Sequence, residues 1–64
     1  MENNIRKLRK EKGMRQEDLA RFLGVSRQTI NAIENNKYNP TLELAMRLAR
    51  FLNTTVEELF ILED

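Results

Sequence analysis

The sequence predicts a small all-α domain that occupies the whole chain, residues 1–64. Apolar residues recur three or four positions apart, which is the spacing of one helix face. Short runs containing Ser, Thr, Asn or Gly separate these segments, where helices begin and end. Only two Gly and one Pro interrupt the chain and 33% of its residues are charged, as is typical of a soluble helical protein.

The first half of the chain predicts three helices, over about residues 4–12, 16–23 and 26–34. An Asn is the expected cap at the start of the first helix, and Gly13 follows the helix where a left-handed residue ends it. Gly24 ends the second helix, and Ser26 is a good N-cap for the third.

The second half predicts a loop over residues 35–40 and two more helices, over about 41–52 and 55–60. Thr41 and Thr55 are their expected caps, and Thr55 and Glu58 have the spacing of a capping box. Asn53 is expected to close the fourth helix. The tail, residues 61–64, is too short to assign and leaves room for a terminal β-strand.

The composition excludes several kinds of site. Without Cys or His the chain forms no disulfide, lacks the usual zinc ligands, and has no thiol nucleophile or imidazole base. We therefore expect no metal and no cofactor, and we find no nucleophile–base set that supports an enzyme. The longest apolar run has four residues and the N-terminus lacks a secretory signal, so the sequence predicts a cytoplasmic protein without a membrane span.

Charge is unevenly distributed along the chain. Residues 1–50 contain all eleven Lys and Arg against six acids, whereas residues 51–64 contain four acids and no base. One end is thus suited to a polyanion and the other to solvent or a partner, although chance clustering explains the charge alone equally well. The basic residues of the run 6–12 are expected to form a solvated helix face, and a phosphate-contacting surface is the other interpretation.

Residues 16–35 have the general form of a helix-turn-helix, two short helices joined by a turn that contains Gly24. Ala20 lets the third helix cross the second closely. Four apolar side chains are predicted to point inward and fix the crossing angle: Leu19, Leu23, Ile30 and Ile33. The helical wheel then places outward a face that has no acids and suits base edges and phosphates, formed by Arg27, Gln28, Asn31, Ala32 and Asn35.

In these residues the chain resembles the Cro/C1-type (XRE-like) helix-turn-helix regulators, and among them the small stand-alone repressors of the cytolysin-operon repressor type. The matching segments are IRKLRKEKGM at 5–14, QEDLA at 16–20, LGVSRQTI at 23–30, IEN at 33–35 and VEELF at 56–60. The resemblance implies a five-helix lambda-repressor-like domain that binds double-stranded DNA. Its helix-turn-helix would span about 16–35 and its recognition helix about 26–34.

The resemblance also implies roles for single residues. Base edges in the major groove would be read by Arg27, Gln28 and Asn31. DNA phosphates would be contacted by Gln16, Asn35, Lys37 and Tyr38. Arg9 and Glu34 match a salt bridge that ties the first helix to the third.

Two positions depart from the family pattern. Arg15 stands where many members have a Thr or Ser cap, and an Arg side chain cannot accept a bond from a backbone N–H. The cap of the second helix is therefore in doubt, and a phosphate contact is the alternative use of Arg15. Asn36 stands where many members have Gly, and Asn still adopts the left-handed conformation.

The sequence further predicts a two-fold homodimer, because the chain is small for a stable monomer. The predicted interface is the apolar run Leu59, Phe60, Ile61 and Leu62, with the tail adding a short strand there; ordinary core is the other interpretation of these residues. Two recognition helices would face major grooves ~34 Å apart, so the operator should be an inverted repeat. A monomer that dimerises only on DNA is the rival.

The leading function is a DNA-binding transcriptional regulator that represses by occluding a promoter, with no small-molecule effector evident. A DNA-binding antitoxin or a restriction-system controller protein has the same fold and differs in its partner and gene neighbours. A protein-interaction module without DNA binding is the second alternative. Its outward face would be acidic or apolar, which this one is not.

Overall fold

Five helices and a pair of terminal strands make up the described part of the chain, which confirms the predicted fold class. A computed structural model describes residues 1–63, so Asp64, the end of the predicted tail, lies outside the described residues. The elements are, in chain order, β1 (Glu2–Asn3), α1 (Ile5–Glu11), α2 (Gln16–Leu23), α3 (Arg27–Glu34), α4 (Leu42–Phe51), α5 (Val56–Leu59) and β2 (Phe60–Ile61). None of these helices is long and apolar enough to cross a membrane.

Side-chain caps begin three of the helices where the sequence predicts them. The backbone N–H three residues on donates, at 3.1–3.2 Å, to the hydroxyl of Ser26, Thr41 or Thr55. At α1 the predicted Asn contact is made by Asn3, whose amide oxygen accepts from the Ile5 N–H at 3.1 Å, while the Asn4 side chain donates to the Glu58 carbonyl. Only half of the predicted capping box at α5 forms, since the Glu58 carboxylate accepts from threonine hydroxyls instead of the Thr55 backbone.

Positive φ angles end or follow helices at the four predicted positions, Gly13, Gly24, Asn36 and Asn53. Gly24 lies in the turn between α2 and α3 at φ 73° and ψ 29°. A Cβ added at Gly24 would meet no atom within 4 Å, so replacing this glycine would strain the backbone without a steric clash.

The core is a single cluster to which all five helices contribute. The four side chains predicted to fix the crossing of α2 and α3 are in it, each 3% exposed or less. This burial sets the rotation of α3 about its axis, and with it the residues that face outward. The buried apolar set is Ile5, Leu19, Ala20, Leu23, Ile30, Ile33, Leu44, Ala45, Leu48, Ala49, Leu52, Leu59 and Phe60.

The two strands join the ends of the chain. Glu2 lies opposite Ile61 and Asn3 opposite Phe60 in an antiparallel pair, which continues into a bond from the Asn4 N–H to the Leu59 carbonyl at 2.9 Å. The sequence left room for the second strand but did not predict the first. The second strand pairs with the N-terminus of its own chain, and its predicted place at a dimer interface stays a prediction.

Burial also narrows the predicted interface. Leu59 is fully buried and Phe60 is 8% exposed, so both pack in the core of the protomer, as the other interpretation of this run has it. Ile61 and Leu62 are 42% and 75% exposed, and a part of the run in a dimer interface stays a prediction. Phe60 and Ile61 point to opposite faces because successive side chains of a strand alternate, and Leu62 lies beyond the end of the strand.

Candidate nucleic-acid interface

The outward face of α3 presents three neighbouring polar side chains. Arg27, Gln28 and Asn31 are exposed and line a shallow groove of about 300 Å³. Ile30 and Ile33 on the opposite side of the helix are buried. The residues predicted to read bases therefore lie together, on the first two turns of a helix whose orientation the core fixes.

A larger cleft of about 460 Å³ lies beside this groove, where the ends of α1 and α2 approach α3. Basic side chains from three different segments line it: Lys10, Arg15 and Arg27. Gln16, the first residue of α2, also lines the cleft. Basic side chains around a helix N-terminus suit a phosphate group. Lys10 belongs to the basic run for which a solvated face was the first interpretation and a phosphate-contacting surface the other, and the sequence does not show that α3 lies across from it.

Arg15 begins α2 without an acceptor side chain, as expected, and is held by the acids that follow it. Its backbone N–H donates to Asp18 Oδ2 at 3.0 Å, and its guanidinium lies 3.0 Å from Glu17 and 3.3 Å from Asp18. The hydrogen bond and charge of Asp18, then the charge of Glu17, raise the pKa of Arg15. Hydrogen bonds from the Arg15 backbone and side chain lower the pKa of Asp18. In this structure Arg15 therefore contacts two carboxylates, and its phosphate contact stays a prediction.

Three amide side chains predicted to contact DNA are hydrogen-bonded to one another. Asn31 Nδ2 donates to Gln16 Oε1 at 3.3 Å, and Asn35 Nδ2 donates to Asn31 Oδ1 at 3.2 Å. Gln16 Nε2 donates in turn to Glu34 Oε1 at 3.0 Å. Hydrogen bonds thus link the side-chain amides of Asn31 and Asn35 to that of Gln16 at the start of α2.

Glu34 is the buried acceptor at the centre of this region. Its side chain is fully buried and accepts from Arg9 at 2.7 and 3.1 Å, so the two residues of the predicted salt bridge are in contact. Arg6 Nε adds a third cationic donor contact at 3.3 Å. Burial raises the pKa of Glu34, but the hydrogen bonds from Arg9 and Gln16, the charge of Arg9 and the bond from Arg6 outweigh it and lower the pKa below its ordinary value.

Sequence reasoning missed the role of Arg6. We expected it in a solvated basic face, yet its guanidinium donates to Glu34 and, at 2.8 Å, to Asn35 Oδ1. Arg9 also donates to the Met14 carbonyl at 2.9 Å, and this bond holds the loop before α2 against α1. Arg6 and Arg9 are three positions apart and therefore share a face of α1. This spacing of two Arg residues was the signal in the sequence that could have indicated their shared contact with Glu34.

Lys37 and Tyr38 lie in the loop after α3. The Lys37 N–H donates to the Ala32 carbonyl at 2.9 Å, while its side chain is exposed. Tyr38 lies beside Val25 and Thr29 at a shallow cleft. This placement leaves both side chains at the edge of the α3 face, and their phosphate contacts stay predictions.

The comparisons with known proteins agree with this geometry. A profile of the helix-turn-helix family matches residues 5–59. An uncharacterised HTH-type transcriptional regulator of Methanocaldococcus jannaschii is 50% identical over 64 residues, which cover all of this chain and 97% of that protein. One from Archaeoglobus fulgidus is 48% identical, with 91% of its length covered, and one from Bacillus subtilis is 39% identical, with 97% covered. The resemblance seen in the sequence is confirmed: the chain belongs to the helix-turn-helix family of DNA-binding transcriptional regulators, in its XRE-like branch.

Proposed function

We propose that the protein is a repressor that binds a specific double-stranded DNA sequence as a homodimer in the cytoplasm and occludes a promoter. The observation that carries this proposal is the acid-free outward face of α3, with Arg27, Gln28 and Asn31 exposed side by side. The relatives named as HTH-type transcriptional regulators support a regulatory role.

In the proposed complex α3 lies in the major groove. Arg27 and Gln28, on its first turn, contact base edges, for which Arg and Gln have matching donor and acceptor geometry. The DNA backbone passes over the neighbouring cleft, where Lys10 and the first turn of α2 at Gln16 face a phosphate. Lys37 extends this contact from the loop after α3.

The homodimer is proposed to form through the apolar side chains that the terminal strands leave exposed. The pairing of Glu2 with Ile61 brings Met1 next to Leu62. The side chains of Met1, Ile61 and Leu62 are all exposed. The acidic residues 57, 58 and 63 lie on the same stretch of chain. DNA would repel this end, so it is suited to self-association while α3 faces the groove.

Selection of binding sites from random double-stranded DNA tests sequence-specific binding. We expect one enriched motif, an inverted repeat with half-sites about one helical turn apart. Sedimentation of the protein with the selected site should give two protomers per DNA. Absence of any enriched sequence would refute the proposed function.

The dimer interface is tested with Ile61→Asp, with Leu42→Asp as the matched control. Leu42 is also exposed and apolar but lies on α4 and not on the paired strands. At micromolar concentration the wild type and Leu42→Asp should sediment as dimers and Ile61→Asp as a monomer, because a carboxylate cannot be buried unpaired at an interface. A monomeric wild type, or a dimeric Ile61→Asp, would contradict the interface.

A further inference from the structure

Five side chains from α1, α2 and the end of α3 form a closed ring of hydrogen bonds. Arg6 donates to Asn35 Oδ1 at 2.8 Å, Asn35 to Asn31 Oδ1 at 3.2 Å and Asn31 to Gln16 Oε1 at 3.3 Å. Gln16 donates to Glu34 Oε1 at 3.0 Å, and Arg6 reaches the same oxygen at 3.3 Å. The ring thus joins a residue outside the helix-turn-helix to the polar face of α3.

The two ends of the ring are chemically fixed. A guanidinium only donates and a carboxylate only accepts, whereas an amide presents either its oxygen or its nitrogen to a neighbour. Because Glu34 accepts, Gln16 must turn its nitrogen towards it and its oxygen towards Asn31. Asn31 must then offer its nitrogen to Gln16 and its oxygen to Asn35.

The same orientation follows from the other end. Arg6 requires the oxygen of Asn35, so Asn35 offers its nitrogen to Asn31, where it donates to the main-chain carbonyl at 2.9 Å as well as to Oδ1 at 3.2 Å. Both ends therefore demand the same orientation of all three amides. A half-turn of the Asn31 side-chain amide alone would bring its oxygen against the oxygen of Gln16 and its nitrogen against the nitrogen of Asn35. The side-chain hydrogen bonds of Asn31 to Gln16 and to Asn35 would then both be lost.

We propose that Arg6 is a positioning residue for DNA sequence readout: it donates to both ends of the row of amides, at Glu34 and at Asn35, and by closing the ring it restricts rotation of the Asn31 amide, and so which of its atoms faces each side of the major groove. The inference rests on the proposed function, in which Asn31 reads a base edge. A fixed amide distinguishes adenine, with its acceptor N7 and donor N6, from an edge that offers these groups in the reverse order. An amide that rotates freely binds base edges with either order of donor and acceptor, and so does not discriminate between them.

The test compares Arg6→Met with Lys7→Met. Both substitutions remove one positive charge from an exposed position of α1, but no hydrogen bond or ion pair of the Lys7 side chain is present among residues 1–63. The affinity of each variant is measured for the selected operator and for all its single-base variants. Asn31→Ala identifies the operator position that Asn31 reads, as the position where base preference is lost.

Both charge removals should weaken binding to every sequence by a similar factor. Arg6→Met should also lower the base preference at the Asn31 position by about threefold or more, out of the roughly 5- to 150-fold discrimination of a well-placed side-chain pair. This ratio compares sequences bound by the same folded molecules, so a loss of stability does not change it. Equal ratios for the two variants would overturn the inference and leave the proposed function standing.

The ring itself is tested in the free protein. In a ¹⁵N spectrum Arg6→Met should shift the side-chain NH₂ signals of Asn31 and Asn35, and Lys7→Met should leave them in place. Unchanged signals in Arg6→Met would overturn the ring, whatever the DNA result. If the wild type selects no DNA sequence, the proposed function fails and the inference fails with it, even where the signals shift.

Discussion

Replacing Arg9 by Met should remove a large part of the stability of the protein. The Arg9 side chain is 8% exposed and donates twice to the fully buried Glu34 carboxylate, at 2.7 and 3.1 Å, and once to the Met14 carbonyl at 2.9 Å. Removing one partner of a buried pair costs ~3–5 kcal/mol. Since Arg6 and Gln16 still donate to Glu34, we expect the lower end, about 3 kcal/mol.

That loss is large for a chain of this size. At ~0.05–0.15 kcal/mol per residue, a domain this small has a free energy of unfolding of roughly 3–10 kcal/mol. Urea unfolding followed by circular dichroism measures the change. Lys10→Met, at the next and exposed position of α1, is the matched control and should stay within about 0.5 kcal/mol of the wild type.

The reason for the loss is the charge left on Glu34, and the double variant Arg9→Met/Glu34→Leu tests that reason. Replacing a buried ion pair by apolar residues is often neutral, so the double variant should regain the ~3 kcal/mol that Arg9→Met loses. A double variant no more stable than Arg9→Met would show that the lost packing, and not the unpaired buried charge, causes the effect.

The pH dependence provides an independent check. In the wild type the pKa of Glu34 lies below its ordinary value of 4.5. The folded protein then binds fewer protons than the unfolded chain, so this stabilisation is complete above pH 4.5 and is lost as the pH falls through the folded pKa. Without Arg9, the hydrogen bond that lowers the pKa of Glu34 most is gone together with the charge of Arg9, so this pKa rises and the variant gains stability relative to the wild type as the pH falls. The gap between the two proteins should narrow from pH 7 to pH 4; a constant gap, or a loss below about 1 kcal/mol at pH 7, would refute the reasoning.

Three further predictions concern α2, α3 and the loop after it. Arg15→Thr should raise the urea midpoint, because a Thr hydroxyl accepts from the Asp18 N–H and completes the half-formed capping box; a midpoint that falls or does not move would contradict this. Arg27→Ala and Gln28→Ala should each weaken binding to the selected site by ~1–3 kcal/mol and relax its base preference, and unchanged affinity in a competition assay would remove them from base readout. Lys37→Ala should weaken binding to all sequences alike and reduce the salt slope by about 1; an unchanged slope in a salt titration would exclude a phosphate contact.

The fold was predictable where its causes are local in sequence. Ser26, Thr41 and Thr55 cap helices through bonds to an N–H three residues away, and such bonds depend on little beyond the neighbouring residues. The strand at Glu2–Asn3 was not predictable, because its partner lies at the other end of the chain. Two residues carry no alternation of apolar and polar positions, so only the assembled fold shows that they pair.

The candidate site also has one part that the sequence predicts and one that it does not. The helical wheel of α3 predicts its outward face, because the burial of Ile30 and Ile33 sets the rotation of the helix. The use of the basic residues on α1 was not predictable from their types. Arg6 and Arg9 face the buried carboxylate of Glu34, while Lys7 and Lys10 on the same helix are exposed. Which of these cations is paired depends on where the end of α3 crosses α1.

This pairing changes what the charge count means for DNA binding. The excess of basic residues before position 51 suggests a strongly basic surface, but Arg6, Arg9 and Arg15 are paired with carboxylates. Around the proposed DNA face the basic residues without an ion pair, among residues 1–63, are Lys10, Arg27, Lys37 and Arg47, the last in the cleft with Thr29 and Tyr38. Phosphate contacts supply a large share of the affinity of a protein for DNA. In the proposed complex a protomer with these few cations would depend more on base contacts and on a second protomer, and the orientation of each amide on α3 would matter correspondingly more.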